Sequence, residues 1–104
     1  MAFTGNEDHT TTLAAAEVLT NAFQAAYPTQ TKGIYFSKAT LQSILDQTSC
    51  VGIRFYFGLD VSNNKFKLAF DGVLANENDM TTGIIGNGGA LCPPNCGNKN
   101  GLNS

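Results

Sequence analysis

Two alternating apolar runs joined by a short polar turn constrain this chain more than any other feature. Ile53, Phe55, Phe57, Leu59 and Val61 alternate with Arg54, Tyr56, Gly58 and Asp60. After Asn63-Asn64 the pattern returns as Phe66, Leu68 and Phe70, alternating with Lys67, Ala69 and Asp71. Side chains alternate across a strand with period two, so each run gathers its apolar residues on one face. Asn tolerates positive φ at little cost, so Asn63-Asn64 is expected to form a two-residue type I′ hairpin turn. That turn sets Ser62 opposite Lys65. It pairs Val61 with Phe66, Leu59 with Leu68, Phe57 with Phe70, Phe55 with Gly72 and Ile53 with Leu74. On the other face it pairs Asp60 with Lys67, Tyr56 with Asp71 and Arg54 with Val73. Phe55, Phe57, Phe66 and Phe70 read as a core face under helices rather than as an aromatic binding platform, because large aromatics are usually buried.

The flanking segments supply the cover. Residues 1–9 are polar and read as a loosely held arm. Residues 10–27 place Leu13, Ala16, Leu19 or Thr20, Phe23 and Ala26 or Tyr27 at helical spacing, with one of the threonines as N-cap and Pro28 as the stop. Residues 33–36 read as a short strand. Ser37 is a good N-cap for a second helix over 38–47, whose apolar stripe is Leu41, Ile44 and Leu45. Residues 76–79 form a turn cluster, and 80–86 hold one more short strand around Ile84 and Ile85. From Asn87 the composition turns to Gly, Asn, Pro and Cys without periodicity. The expected organisation is an arm over 1–9, one domain over 10–86 and a tail over 87–104. The expected fold is α+β, with two helices on one face of a small antiparallel sheet built around the hairpin. The opposite face, with Arg54, Tyr56, Asp60, Lys67 and Asp71, is left for solvent or a neighbour.

Charge narrows the function classes. The formal net charge is −2, and six Lys and Arg do not cluster, so neither nucleic acid nor an anionic membrane is indicated. Charged residues make up 13% of the chain, against about 25% ordinarily. Eleven Asn and eleven Thr carry much of the polarity instead. A surface of low charge repels its own copies weakly, which favours association. Residues 1–9 lack a basic and then apolar leader, and no run approaches the length of a membrane span. The default expectation is a chain kept in the cytosol, with signal-independent export left open.

The residues with chemical potential are few. Cys50, Cys92, Cys96 and His9 make a Cys3His zinc set by type, but only one compact pair exists among them, so no metal is assigned. Cys92 and Cys96, separated by Pro93, Pro94 and Asn95, have two further readings: a disulfide, or part of a rigid tail element that docks on the body. Cys50 reads as a small buried hydrophobe. Asp60, Ser62, Asn64 and Asp71 match four positions of a calcium loop, yet Lys65 stands where glycine is needed. Residues 86–89 are glycine-rich without the strand-to-helix context of a phosphate loop. With one histidine and no carboxylate pair placed in a pocket, no catalytic residue and no cofactor is assigned.

Residues 33–38, 50–60 and 92–96 resemble segments that occur in this order in a group of small, uncharacterised bacterial proteins. The resemblance covers 33–96, implies a folded unit and carries over no functional residue. The first functional expectation is a non-enzymatic structural protein that self-associates, into a filament or another ordered polymer. Its candidate contacts are Arg54, Tyr56, Cys92, Pro93, Pro94 and Cys96. The alternatives are an adaptor domain that recognises a protein partner through its tail, and a zinc-stabilised domain.

Overall fold

The long alternating runs form the two strands around which everything else is arranged. In a computed structural model that describes residues 2–104, the elements are α1 (Leu13–Ala26), β1 (Gly33–Tyr35), α2 (Lys38–Leu45), β2 (Cys50–Asp60), β3 (Lys65–Leu74), β4 (Ile85–Gly86) and β5 (Ala90–Cys92). The fold is α+β with antiparallel sheets. β2, β3 and β4 make a three-stranded sheet with β3 in the middle, and β1 and β5 make a separate two-stranded ribbon.

The hairpin register differs from the expected one by two residues. Asp60 pairs with Lys65, so the connection is the four residues 61–64. Phe55 therefore faces Phe70, Phe57 faces Leu68, Leu59 faces Phe66 and Arg54 faces Asp71. The reason lies in the turn. A type I′ turn needs positive φ at both central residues, but within the loop only Asn64 adopts it, at 52°. The Asp60 carboxylate instead accepts hydrogen bonds from the Asn63 backbone N–H (3.3 Å) and from Asn63 Nδ2 (2.9 Å), which holds a wider loop. A slide of two preserves the face of every side chain, so the apolar set stays together.

The core forms at the base of the hairpin. Ile44 of α2 and Phe70 and Val73 of β3 are buried. Phe36 and Phe55 stack on Phe70, with the Phe36 and Phe70 rings 4.5 Å apart edge to face and those of Phe55 and Phe70 5.0 Å apart. Such pairs add to plain area burial. Gly86 in β4 lies flat against the Phe70 ring, and a methyl group there would collide with it. α2 packs on β2 and β3 and is capped by Ser37 Oγ, which accepts from Thr40 N–H at 3.2 Å.

α1 is held differently. Thr12 caps it, its Oγ1 accepting from Ala15 N–H at 3.1 Å, yet none of its residues is buried. It meets the body through Phe23 and Tyr27, whose rings sit 6.0 and 5.5 Å from that of Phe66.

Two further features complete the fold. Residues 87–104, which lack periodicity, include β5, which pairs with β1, Gly33 opposite Cys92 and Tyr35 opposite Ala90. Three residues are too few for periodicity to reveal. The arm is also pinned: Phe3 N–H donates to Ala75 O at 2.8 Å, and Gly5, at φ 82°, packs against Val51.

Candidate functional site

The face of the hairpin formed by the even-numbered residues of β2 and the odd-numbered residues of β3 carries a polar cluster that the sequence left to solvent. Arg54 and Tyr56 project from β2, and the turn after β3 folds back so that Asp79 bridges to Val73. The Asp79 carboxylate reaches across β3. It accepts from Arg54 Nη1 at 2.9 Å and from the Tyr56 hydroxyl at 2.5 Å. Both terminal nitrogens of Arg54 also donate to the Glu77 carbonyl at 3.2 Å, and the guanidinium lies 6.0 Å from the centre of the Phe3 ring. The Tyr56 hydrogen bond is the main cause holding the Asp79 carboxyl below the usual carboxylate range, and the same bond raises the Tyr56 phenol.

Asp71 is the correction on this face. It is 6% exposed rather than solvated, and its Oδ1 has no hydrogen-bond partner. Burial is the first cause raising its carboxyl, and the adjacent Asp79 adds to it. Arg54, Tyr56, Asp71 and Asp79 thus form a self-contained network in which the one cation is already shared. The arrangement orients Arg54 and Tyr56 and ties the 75–80 turn to β2. Nothing in it presents an aligned nucleophile and base. Beside it, Phe3, Gly5, Glu7 and His9 of the arm and Val51–Phe55 of β2 border an open cleft of about 580 Å³.

The tip of the hairpin is the second site. Its apolar face stays largely open: Phe57 is 95% exposed and Val61 81%, with Leu59 also exposed. Phe57, Phe66 and Leu68 border a groove of about 210 Å³ that Phe23 and Ile34 complete. The two outer edges of the hairpin differ. Along β3, Gln30 Oε1 accepts from Phe66 N–H at 2.8 Å, β4 pairs with Phe70 and Asp71, and residues 78–80 bond to Gly72 and Leu74. Along β2, no backbone group among the described residues bonds to the outer edge between Ile53 and Asp60.

The tail forms the third. Cys92 and Cys96 are joined in a disulfide with Cα atoms 4.6 Å apart, and both prolines between them follow cis peptide bonds. The disulfide takes two of the four candidate zinc ligands, leaving Cys50 and His9. Among the described residues no group of three His, Cys, Asp or Glu converges on a metal position. Cys50 is half-buried rather than buried, its thiol donating to Gly52 O at 3.2 Å. The tail closes back on its own body. Lys32 N–H donates to Cys92 O at 2.7 Å, Gln24 Nε2 to Leu102 O at 2.7 Å and Lys32 Nζ to Asn103 O at 3.0 Å.

The sequence reading singled out Arg54 and Tyr56 but missed Asp79, which orients both. The signal was the Asn76-Glu77-Asn78-Asp79 turn cluster: a turn placed one strand away can return a carboxylate over the sheet. The six association candidates do not form one patch around a shared contact. Arg54 and Tyr56 belong to the sheet network, and Cys92, Pro93, Pro94 and Cys96 to the ribbon end. Among the described residues, no helix is long and apolar enough to cross a membrane. Comparison with protein-family models, with curated proteins and with solved structures finds no match for this chain.

Proposed function

We propose that this chain is a non-enzymatic structural protein that self-associates, as a subunit of a filament or another ordered polymer. The observation that carries the reading is the amount of surface left uncovered. The accessible area is 7278 Å². Size scaling for a monomeric protein of 11.0 kDa gives roughly 5,600 Å². The radius of gyration, 15.2 Å, likewise exceeds the roughly 13 Å typical of this length. Large apolar side chains contribute much of the exposed area: Leu19 is 73% exposed, and Leu13, Val18, Tyr35, Phe57 and Val61 are exposed with it. Extended apolar surface of this kind marks association sites. The exposed residues lie on α1, on β1 and at the hairpin tip, and separate faces are what a polymer needs.

The adaptor reading receives less support, because the tail it requires as a recognition element is bonded to its own body. The Cys92–Cys96 disulfide favours work in an oxidising compartment over retention in the cytosol, so we also propose export. Light scattering across a concentration series, with negative-stain electron microscopy, tests self-association. Particles larger than the monomer, growing with concentration, are expected. A monomer at every concentration would overturn the proposal.

A further inference from the structure

We propose that the outer edge of β2 pairs with β2 of a second copy, antiparallel, about a two-fold axis at Phe57. The inference rests on the self-association reading and names its surface, its occupant and its register.

The edge itself is the first argument. Natural edge strands are blunted by proline, lysine, bulges or a covering segment. β2 has neither proline nor lysine, and its one bulge lies between Cys50 and Gly52, leaving Gly52 to Asp60 regular. The same chain spends Gln30, β4 and the 78–80 segment on covering the outer edge of β3. Among the described residues no backbone group bonds to the β2 edge between Ile53 and Asp60, although arm residues border it at Val51–Phe55, and it is the hairpin edge bearing a phenylalanine 95% in water.

The occupant follows from the pattern of the strand. Residues directly opposite in a sheet share a face, so apolar meets apolar only when odd-numbered positions oppose odd-numbered ones. β2 carries two charges, Arg54 and Asp60. Among the in-phase registers of the strand with its own copy, one alone sets Arg54 opposite the partner's Asp60. Two-fold symmetry repeats that pair at the other end. The same register sets Phe57 opposite the partner's Phe57, Phe55 opposite the partner's Leu59, Ile53 opposite the partner's Val61 and Tyr56 opposite the partner's Gly58. Charge, apolar area and the aromatic-on-glycine contact therefore agree on one alignment. Arg54 is already shared with Asp79 and the Glu77 carbonyl, so the partner's Asp60 would join that network as a second carboxylate rather than supply its counter-charge. The accessible area of the whole chain, 7278 Å², exceeds the monomer scaling by roughly 1,700 Å², more than the ~800 Å² that each partner of an ordinary stable interface buries.

The test uses the full chain carrying Cys50→Ala, so that new cross-links report only the introduced thiol. Phe57→Cys is expected to form a disulfide-linked dimer on mild oxidation, since facing Cα atoms would stand about 5.5 Å apart, within disulfide range. Leu59→Cys is expected not to, because its two copies would stand four residues out of step, more than about 13 Å apart. Phe57→Asp, in the otherwise unaltered chain, is expected to raise the concentration for half-association at least about a hundredfold, as each pairing loses two apolar rings and gains facing carboxylates. Its thermal midpoint as a monomer should be unchanged, which separates an association effect from misfolding. Association that survives Phe57→Asp, with no Phe57→Cys cross-link, would overturn the edge pairing and leave self-association standing. Efficient cross-linking at Leu59→Cys instead would overturn the register. A wild-type chain that is monomeric throughout would overturn both proposals and leave the edge for a segment of another protein.

Discussion

The base and the tip of the hairpin carry the same alternating pattern and meet opposite fates. At the base, Phe55 and Phe70 close on Phe36 under α2, and Phe70 and Ile44 are sealed from water. At the tip, Phe57 and Val61 point from the same face into open surroundings. Alternation decides which face a side chain takes, and another element decides whether that face is covered. α2 is short but delivers Ile44 onto the sheet. α1 is longer, yet it touches the hairpin mainly through Phe23 and Tyr27 on Phe66 and buries none of its own residues. A small domain with its core concentrated at one end has little reserve elsewhere.

Removing the ring at the base sharpens this contrast most. Phe70→Ala is expected to cost about 3–5 kcal/mol in a denaturant titration, the range for truncating a buried phenylalanine. A loss below about 1 kcal/mol would mean that the core lies elsewhere, since surface positions behave that way.

Reduction of the Cys92–Cys96 disulfide comes next. Chain-entropy reasoning for so short a loop gives a loss of about 2 kcal/mol. Amide exchange should quicken first at Gly33–Tyr35 and Ala90–Cys92, the ribbon that the disulfide ends, while Phe70 and its neighbours stay protected. Equal quickening in β3 would show that base and ribbon unfold as one unit.

The smallest expected effect concerns Asp71. Its carboxyl is raised by burial, so the folded state favours the protonated form. Its contribution to stability is therefore full below the unfolded value, about 3.9, and declines as pH rises through the folded value. Asp79, held low chiefly by the Tyr56 hydroxyl, works in the other direction and loses its contribution as pH falls. Asp71→Asn keeps the shape without the buried charge. It should raise the thermal midpoint at pH 7, and the gain should shrink towards pH 4. A gain that does not change with pH would mean that Asp71 is not titrating in this range.

Much of this was legible in the residues. Two strands, their faces, two helices and the caps Thr12 and Ser37 follow from period, propensity and the hydrogen-bonding needs of a helix end, all of which act within a few positions along the chain. The hairpin register slipped by two because the choice between a two-residue and a four-residue loop turns on where one aspartate side chain bonds. β5, the burial of Asp71 and the reach of Asp79 to Arg54 were not legible, because each depends on a segment distant in sequence arriving beside another.

By itself, then, the sequence determined the alternation that gives the hairpin an apolar and a polar face, and the low charge that leaves its surface open to company. Only the tertiary structure decided that α2 and Phe36 cover the base, that Gln30 and β4 close the β3 edge, and that the β2 edge and Phe57 are left bare. The reason is physical: a pattern is a property of neighbours along the chain, whereas cover and exposure are properties of what packs across it.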